Sequence, residues 1–391
     1  MALKVAVVGG GAVGSSIAFF LASHPRFAGE VIVIERDPTY TAASSALSGS
    51  AIRQQFSTPV NIELSRFGIA FFRHISTHLA VAGDRPDIGL REPGYLFLVD
   101  RAGVSTLEAV HQVQRRLGVD VALLGPDELS ARFPWLSTEG VAAGSLGLSG
   151  EGWYDGYLLL HAFRRKALSL GVTYVTQEVT GFRRAGRRVE AVVLADGSSV
   201  RCDVAVNAAG PWAASIAAML DVDLPVRARR RTIYVFACRA TLPGCPLVID
   251  TSGVYFRPEG GQFIGGTSPK EGEDDPDDLP LEVDYPAFDE VIWPALARRV
   301  PAFEAIKVTG GWSGYYELNT LDHNGIVGRH PSWSNVYFAN GFSGHGLQQS
   351  PGVGRGVAEL IVDGEFRTLD LSPLSFDRVL AGRPLVELNV I

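Results

Sequence analysis

Val5-Ala-Val-Val-Gly-Gly-Gly-Ala-Val-Gly14 is an apolar run that breaks into a glycine turn. After it come residues 15–22, with apolar side chains at helical spacing, and a second apolar run, residues 31–34, that ends at Glu35. The glycines fill the pattern G-x-G-x-x-G, and Glu35 follows the last of them by about the twenty residues that a dinucleotide-binding βαβ unit requires. A carboxylate there accepts both hydroxyls of an adenosine ribose and disfavours a 2′-phosphate. The stretch therefore predicts a Rossmann-like nucleotide site.

Each glycine of this turn has its own physical reason. Gly9 makes the tight turn out of the strand, and Gly11, which has no side chain, lets a pyrophosphate approach the backbone. Gly14 allows the following helix to pack close to the sheet. The first residues of that helix, Ala12 and Val13, are candidate phosphate-binding residues because a helix start offers free N–H groups and the positive end of the helix dipole.

The composition limits the classes of function. A chain of 391 residues is long enough for two domains with sizeable cores, and a net charge of −7 argues against nucleic acid as a partner. Cys202, Cys238 and Cys245 form no disulfide framework and have no metal-ligand spacing, so we predict no metal site. No apolar run reaches the length of a membrane span. The chain starts directly on its first strand without room for a targeting peptide, so we expect a cytoplasmic protein unless a longer precursor has been trimmed.

Local patterns predict the elements between the motifs. Residues 41–56 are small and carry few charges, which indicates a loop packed against another part of the protein. Residues 173–183 and 200–206 each read as one strand. Residues 285–299 read as a helix, with a kink or break at Pro294.

A second strand–turn–helix motif with a glycine-rich turn lies near the end of the chain. Residues 336–340 predict a strand, Gly341-Phe-Ser-Gly-His-Gly346 a turn, and residues 347–362 a helix with small residues where it begins. Such a helix start suits a second polar, anionic group. Because the motifs at both ends of the chain must converge on one cofactor, we expect two domains threaded through each other.

Two charged stretches have simpler interpretations. The arginines in residues 227–231 could form an anion-binding patch, but a solvated strand edge is the preferred interpretation. The acidic residues in 271–278 are most simply a solvated loop.

Three motifs together resemble a known family. They are the glycine turn at residues 9–14, Asn207-Ala-Ala-Gly210-Pro-Trp212, and the turn at residues 341–346 before a helix. The combination spans nearly the whole chain and is similar to the FAD-dependent amine and amino-acid oxidoreductases, the superfamily of D-amino acid oxidase, glycine oxidase and monomeric sarcosine oxidase. Within it, a closer likeness is to the branch of the mitochondrial FAD-dependent oxidoreductase domain protein that helps to assemble respiratory complex I. That likeness lies in residues 48–57, 133–135, 151–153, 315–325 and 341–349.

The pattern and the resemblance together predict an α/β fold. A Rossmann-like FAD-binding domain would comprise residues 1–85, 140–222 and 319–391, and an interleaved α+β substrate-binding domain with a mixed sheet would comprise residues 86–139 and 223–318.

The resemblance implies FAD bound in an extended form. The first glycine turn would meet the pyrophosphate, Ser44 and Ser45 the phosphate and ribityl chain, and the backbone of Val179 the adenine. The turn at residues 344–346 and the helix after it would face the pyrimidine end of the flavin, where the positive helix end stabilises negative charge on reduced flavin. The implied cofactor-binding residues are Gly9, Gly11, Ala12, Val13, Gly14, Glu35, Arg36, Ser44, Ser45, Val179, Ala209, Gly210, Trp212, Gly344, His345, Gly346, Leu347 and Gln348.

The resemblance implies less about the substrate. Arg53 aligns with an arginine that binds the substrate carboxylate in sarcosine oxidase, and Tyr255 with the active-site tyrosine of glycine oxidase. A surface arginine and a core tyrosine are the simpler interpretations. Glu317, which could hold a substrate ammonium, and His345, whose turn serves flavin packing more than proton transfer, complete the candidate catalytic residues.

This sequence departs from the family at several positions. Residues 315–317 contain no cysteine for covalent attachment of the flavin, so FAD should be non-covalent. Glu317 replaces an anchoring arginine of glycine oxidase, and Gln348 replaces a lysine of sarcosine oxidase. Ile264 stands where the family has a lysine that speeds attack by oxygen, which leaves the electron acceptor open.

The reaction that follows is oxidation of the C–N bond of an amino acid. We expect a secondary amine such as an N-substituted glycine (sarcosine, iminodiacetate or a glycine-like amine), hydride transfer to flavin N5, hydrolysis of the imine, and reoxidation by O2 to H2O2 or by an electron carrier. One alternative is a D-amino acid dehydrogenase that uses a quinone or carrier. The other is a non-catalytic flavoprotein assembly factor. The sequence does not predict the oligomeric state.

Overall fold

The computed structural model describes residues 2–270 and 273–388, so Glu271 and Gly272 of the predicted acidic loop lie outside the described residues. The strands are β1 Leu3–Val8, β2 Gly29–Glu35, β3 Ala51–Ile52, β4 Tyr95–Val99, β5 Val121–Leu124, β6 Ala143–Gly147, β7 Gly152–Trp153, β8 Thr173–Thr176, β9 Val179–Ala185, β10 Arg188–Leu194, β11 Ser199–Arg201, β12 Val204–Asn207, β13 Val226–Ala237, β14 Leu247–Ile249, β15 Tyr255–Glu259, β16 Gln262–Gly266, β17 Lys307–Asn319, β18 Ile326–Arg329 and β19 Val336–Asn340.

The α-helices are α1 Ala12–Ala22, α2 Ser44–Leu47, α3 Pro59–Arg73, α4 Ile75–His78, α5 Val104–Arg116, α6 Pro126–Arg132, α7 Gly156–Ser169, α8 Ala213–Ala218, α9 Tyr285–Ala287, α10 Trp293–Arg299, α11 Gly346–Val362 and α12 Phe376–Leu380. A π-helical segment, Phe288–Ile292, joins α9 to α10. Short 3₁₀ turns cover Gly210–Trp212, Pro301–Ala305 and Ser372–Leu374.

The first sheet has the strand order β18-β19-β12-β1-β2-β8, and its neighbours are parallel except for the β18–β19 pair. Its central strand β1 is covered on both faces, which explains its unbroken apolar sequence. Val5 and Val7 pack with residues of α1, α7 and α11, whereas Ala6 and Val8 pack with β10 and α8. The sheet is the Rossmann-like one predicted from the sequence.

The second large sheet has the order β17-β13-β16-β15-β14-β4-β6-β5 and is mixed, because β14 and β4 pair in parallel and the other neighbours antiparallel. Side chains alternate across it. On β4, Leu96 and Leu98 enter a core with Phe256 and Phe303, whereas Tyr95 packs on the opposite face with Trp153. That opposite face forms one wall of a cavity.

Two predicted strands are each divided between sheets, so those predictions were wrong in extent. Residues 173–183 form β8, which extends the first sheet, and β9, which forms a hairpin with β10. Residues 200–206 likewise divide into β11 and β12. The apolar pattern continues through both breaks, and a pattern of that kind does not record which sheet a residue joins.

Two other local predictions were correct in part. Residues 285–299 are helical, and the interruption occurs at the π-helical segment just before Pro294, which lies at the start of α10. Residues 41–56, expected as a loop, contain the short helix α2 and the strand β3, which pairs with β7. This segment packs against the rest of the chain as expected.

The division into two domains remains a proposal. Strand β6, at residues 143–147, was assigned to the FAD-binding domain but pairs with β4 and β5 in the second large sheet. If the domains are drawn by sheet, the boundary at residue 140 has to move beyond residue 147.

No helix in residues 2–270 and 273–388 is both long and apolar enough to cross a membrane. In the same residues, no group of three or more His, Cys, Asp or Glu side chains is arranged to hold a metal ion.

Candidate active site

Two adjoining cavities, of about 280 and 230 Å³, form an elongated cleft. The first lies at the carboxyl ends of β1 and of its two parallel neighbours, β2 and β12. Open α/β sheets bind ligands at this point, where the strand order changes direction. The second lies against β13, β15 and the turn at residues 341–346. Val13, Ser44, Ser45 and Glu317 line both cavities, so the two halves are joined there.

The first glycine turn forms the floor of the first cavity. Gly9 has φ +98°, and a Cβ there would lie 2.4 Å from the Ala208 carbonyl oxygen. A Cβ on Gly14 would lie 2.0 Å from the Gly9 carbonyl oxygen, although Gly14 itself does not line the cavity. The nearest neighbour of a Cβ on Gly11 would be Ser45 Oγ at 3.4 Å. Gly9 and Gly14 are therefore required by close packing, and Gly11 exposes its backbone to the cleft.

Glu35 is fixed in the wall of the same cavity. Its Oε2 accepts a hydrogen bond from the Gly10 N–H at 2.8 Å, and its Oε1 accepts one from the Asp37 N–H at 2.9 Å. Both bonds come from the backbone at the ends of β1 and β2. The carboxylate is thus already oriented for a hydroxyl-bearing ligand.

Arg36 and Trp212 line the first cavity together, with the Arg36 guanidinium over the indole ring of Trp212. The Arg36 guanidinium carbon lies 3.9 Å from the centre of the Trp212 ring, and Arg36 also pairs with Glu178 at 3.8 Å. The other predicted residues that line this cavity are Ala12, Val13, Val179, Ala209 and Gly210.

Helix α2 closes the junction between the cavities. The Ser44 hydroxyl donates a hydrogen bond to the Tyr315 carbonyl oxygen at 2.6 Å, and Ser45 Oγ accepts one from the Ala12 N–H at 3.1 Å. These two contacts tie β17 and the start of α1 to the same short helix.

The second glycine turn shapes the second cavity. Gly344 has φ +84°, and a Cβ there would lie 2.5 Å from the Tyr316 ring. The Tyr316 hydroxyl donates a hydrogen bond to the Ser343 carbonyl oxygen. Helix α11 begins at Gly346, so its positive end opens on the second cavity, which is also lined by Gly344, His345, Leu347 and Gln348.

Arg53 is a buried cation in the wall of the second cavity, with 2% of its surface exposed. Its Nη1 donates to the Gln55 carbonyl oxygen at 2.6 Å, and its backbone N–H donates to Gln348 Oε1 at 2.8 Å. Its guanidinium lies 4.0 Å from the centre of the Phe56 ring. These contacts hold the arginine in one place, as a binding group requires.

His345 contacts this arginine. Its Nε2 lies 3.0 Å from Arg53 Nη2, and because a guanidinium only donates, Nε2 is the acceptor. Burial and the charge of Arg53 hold the pKa of His345 well below its usual value. His345 is therefore a neutral imidazole next to a fixed cation.

Tyr255 and Arg257 project from β15 on the same face and line the second cavity. Burial raises the pKa of Tyr255 above its usual value, so the phenol is neutral. Arg257 donates to the Gly49 carbonyl oxygen at 2.8 Å and lies 5.0 Å from the centre of the Trp153 ring. The structure therefore brings together Arg53, Tyr255 and His345 in one cavity.

Glu317 lies on β17 at the junction of the two cavities. Burial raises its pKa to about 7, and hydrogen bonds from the backbone of Gly341 and Phe342 oppose that rise. The bond from the Gly341 N–H is 3.2 Å long. A Cβ on Gly346 would lie 3.2 Å from Glu317 Oε1, so the carboxyl group lies close to the start of α11.

Comparison with known proteins identifies the family. The family described as FAD dependent oxidoreductase matches residues 4–360. The chain belongs to this family. An FAD-dependent oxidoreductase domain-containing protein 1 from Xenopus laevis is 47% identical, over 99% of this chain and 84% of the relative. The structure of L-proline dehydrogenase from P. horikoshii is similar with a TM-score of 0.86 and 28% identity, over 98% of this chain and 99% of that one. Glycine oxidase from Geobacillus kaustophilus is 27% identical, over 96% of each chain.

As a member of the FAD dependent oxidoreductase family, the protein is an oxidoreductase whose cofactor is FAD. The cleft fits such a group, because it is elongated, has an open backbone at Gly11 and an oriented acceptor at Glu35. The buried Tyr40 hydroxyl, which has no hydrogen-bond partner among the described residues, lines the first cavity as well. The individual residue roles and the non-covalent attachment stay predictions.

Sequence reasoning missed the support behind Arg53. Glu151 is fully buried and accepts hydrogen bonds from the backbone N–H groups of Gln54, at 2.6 Å, and Gln55, at 3.0 Å. Its second oxygen accepts from Gln55 Nε2 at 2.8 Å. The segment 151–153 contributed to the family resemblance, but nothing in its sequence indicated that it orients the residues after Arg53.

The sequence did not indicate what covers the arginines of β13. Residues 227–231 pair with β17 on one side, whereas β16 joins β13 only at residues 234–236, so this part of the strand is an edge as predicted. The acidic loop lies along that edge through a bridge between Arg229 and Asp277, and Arg229, Arg230 and Arg231 are half-buried. Arg229 and Arg231 form ion pairs with Asp277 and Asp275 of the acidic loop. Of the arginines in residues 227–231, Arg231 lines the second cavity.

Proposed function

We propose that this FAD-dependent oxidoreductase oxidises the C–N bond of an amino acid, with a secondary amine such as an N-substituted glycine as the substrate. The observation that carries the proposal is the charge of the second cavity. Among the described residues that line it, Arg53, Arg231 and Arg257 are cationic and Glu317 is acidic. A cavity with that lining attracts a carboxylate, and guanidinium groups bind carboxylates with two parallel hydrogen bonds.

We assign a separate role in substrate binding to each of the polar side chains in this cavity. Arg53 would hold the substrate carboxylate, since its backbone and ring contacts fix its position. Tyr255, as a neutral phenol, would donate a hydrogen bond to the same end of the substrate. No strong base is needed if the amine enters neutral, which agrees with the neutral state of His345. FAD, when bound, supplies the hydride acceptor, and the imine product is then hydrolysed by water.

The relatives support a secondary amine. The L-proline dehydrogenase of P. horikoshii is named for a substrate that is a cyclic secondary amine with a carboxylate. Its sequence is 28% identical to this chain over nearly the full length of both. Sarcosine, iminodiacetate and proline share the same reacting unit, a carboxylate and a secondary amine on one carbon.

A dehydrogenase is the second candidate, in place of an oxidase that uses O2. Ile264, which stands where the resembling oxidases carry a lysine, is buried in the lining of the second cavity. An apolar side chain there offers no charge to assist attack by oxygen. The expected acceptor is then a quinone or another carrier.

The test is anaerobic mixing of the FAD-loaded protein with glycine, sarcosine, iminodiacetate, proline and D-amino acids while the flavin absorbance is recorded. We expect bleaching by the secondary amines and none by pyrrolidine or dimethylamine, which lack the carboxylate. Admission of air afterwards separates an oxidase from a dehydrogenase by the rate of recovery. If no amine bleaches the flavin, the proposed reaction is wrong and a non-catalytic assembly factor becomes the better reading.

A further inference from the structure

Resting on the proposed function, we infer that Arg231 binds a second carboxylate of the substrate, so that the site takes secondary amines with two carboxylates. Asp275 occupies this arginine when no substrate is bound, and the substrate carboxylate replaces it. The inference names a substrate class and a specificity-determining residue that lies outside the motifs shared with the family.

The contacts of Arg231 are those of a carboxylate-binding fork. Its Nη1 and Nη2 donate to the two carboxylate oxygens of Asp275, each at 2.9 Å. Its Nε is buried and has no hydrogen-bond partner within residues 2–270 and 273–388. The guanidinium lies 5.1 Å from the centre of the Tyr316 ring, and the side chain lines the second cavity. An arginine in that position already binds a carboxylate in the two-bond manner.

Tyr316 lines the same cavity as the two proposed anchors. Both Arg53 and Arg231 act electrostatically on the Tyr316 hydroxyl, and all three side chains line the second cavity. Because Arg53 and Arg231 line one cavity, a substrate that places one carboxylate on Arg53 can present a second one to Arg231. Arg257 is less suitable, because the Gly49 carbonyl and Glu259 hold its guanidinium in the wall.

When a substrate carboxylate replaces Asp275 at Arg231, every charged group involved still has a partner of opposite charge. The side chains of Arg231 and Asp275 are 18% and 23% exposed, so water reaches both groups. When a substrate carboxylate replaces Asp275, Arg231 keeps an anionic partner. Asp275 keeps Arg229, whose Nε lies 3.3 Å from Asp275 Oδ2. Replacement of one carboxylate by another avoids the large cost of a buried unpaired charge.

The test measures binding without turnover. Oxydiacetate and methoxyacetate carry two carboxylates and one, and both have an ether oxygen in place of the reactive amine. Their dissociation constants for the FAD-loaded protein are measured by isothermal titration calorimetry. We expect oxydiacetate to bind more tightly than methoxyacetate to the unaltered protein.

Three variants isolate Arg231. Arg231→Gln should weaken oxydiacetate binding roughly ten-fold to a hundred-fold, the range for loss of hydrogen bonds to a charged group, and should change methoxyacetate binding less than about two-fold. Asp275→Asn removes the internal competitor and should tighten oxydiacetate binding. Arg227→Gln is the matched control, because Arg227 also pairs with the acidic loop, through Asp277, but does not line the cavity. It should leave the ratio of the two constants unchanged.

The outcomes separate this inference from the proposed function. Equal weakening of both ligands by Arg231→Gln, or the same loss with Arg227→Gln, overturns the role of Arg231. Unchanged or weaker oxydiacetate binding in Asp275→Asn overturns the exchange. If the amines fail to bleach the flavin while oxydiacetate binds through Arg231, the proposed oxidation is wrong and the dicarboxylate site stands.

Discussion

The carboxyl group of Glu317 lines both cavities of the cleft, and its protonation state should affect cofactor binding. Burial already raises its pKa to about 7 in the protein alone. FAD brings a pyrophosphate with negative charge into the same cleft, and a nearby like charge disfavours the ionised form of a carboxyl group. Binding of FAD should therefore favour the protonated form of Glu317.

This predicts that the affinity for FAD falls as the pH rises through 7, by up to about ten-fold per pH unit, because Glu317 must take up a proton that the solvent supplies less readily. The sign follows from a pKa that is higher in the complex than in the apoprotein. Glu317→Gln should remove this dependence. The measurement is the FAD dissociation constant from fluorescence quenching between about pH 6 and pH 9. Glu30→Gln, at an exposed pair with Lys4, is the control. A flat pH profile in the unaltered protein would contradict the prediction.

At the scale of single residues, the sequence predicted positions with fixed local spacing. Gly9, Gly14 and Glu35 lie within one βαβ unit, and their packing is what that spacing implies. The partner of Arg231 lies 44 residues away, and Glu151 lies 96 residues from Gln55. Such pairs depend on which strands become neighbours, and the sequence of either partner alone does not contain that information.

At the scale of elements, the position of α1 decides the shape of the first cavity. Gly14 places the helix against the turn, and on its far side Ser16 Oγ donates a hydrogen bond to the Ser350 carbonyl oxygen of α11 at 2.8 Å. A Cβ on Gly354 would lie 2.2 Å from Ser16 Oγ. The two glycine-led helices therefore fix each other through small residues.

Gly14→Ala should push α1 away from the turn, because the new Cβ would meet the Gly9 carbonyl oxygen. We expect the free energy of unfolding to fall by about 1–3 kcal/mol, the usual effect of overpacking, and the affinity for FAD to fall with it. Gly310→Ala is the matched control, since its Cβ would meet nothing within 4 Å. Urea unfolding and FAD titration check both. Equal behaviour of the two variants would show that the close approach at residue 14 is unimportant.

The sheet formed by β9, β10 and β11 shows which feature of the strands the sequence pattern did not predict. Residues 173–183 and 200–206 have continuous apolar patterns, yet each is divided between the first sheet and the sheet formed by β9, β10 and β11. Periodicity reports burial on a face and not the identity of the partner strand. The central strands β1 and β19 were predicted well because each is followed by a glycine turn that fixes its end.

At the scale of the whole molecule, the segment near residue 387 is bound to the residues just before α3. Glu387 accepts hydrogen bonds from the hydroxyls of Ser57, at 2.6 Å, and Thr58, at 2.8 Å. Burial would raise its pKa, but these bonds and the charge of Arg53 outweigh it and lower the pKa below 4.5. The carboxylate thus connects this segment to the start of α3.

Glu387→Gln should lower the free energy of unfolding at pH 7 by about 1–3 kcal/mol, because it weakens several charge-assisted hydrogen bonds. A lowered pKa contributes stability above the unfolded-state value, and that contribution is lost as the pH falls through the native value. The difference from the unaltered protein should therefore shrink as the pH falls below the usual pKa range of a glutamate carboxyl group. Denaturant unfolding at several pH values measures it, with Glu365→Gln, at an exposed pair, as control. A difference independent of pH would rule out the ionised carboxyl group as its cause.

The interleaving of the first sheet also fixes when the cofactor can enter. Strand β1 pairs with β2 and β12, β19 adds to β12, and the cleft is complete only when α11 has packed on α1. Residues up to 348 must therefore have left the ribosome before both cavities of the cleft can form. We expect FAD to bind only after this part of the chain has been synthesised and folded. A cell short of flavin would accumulate full-length apoprotein and not arrested fragments.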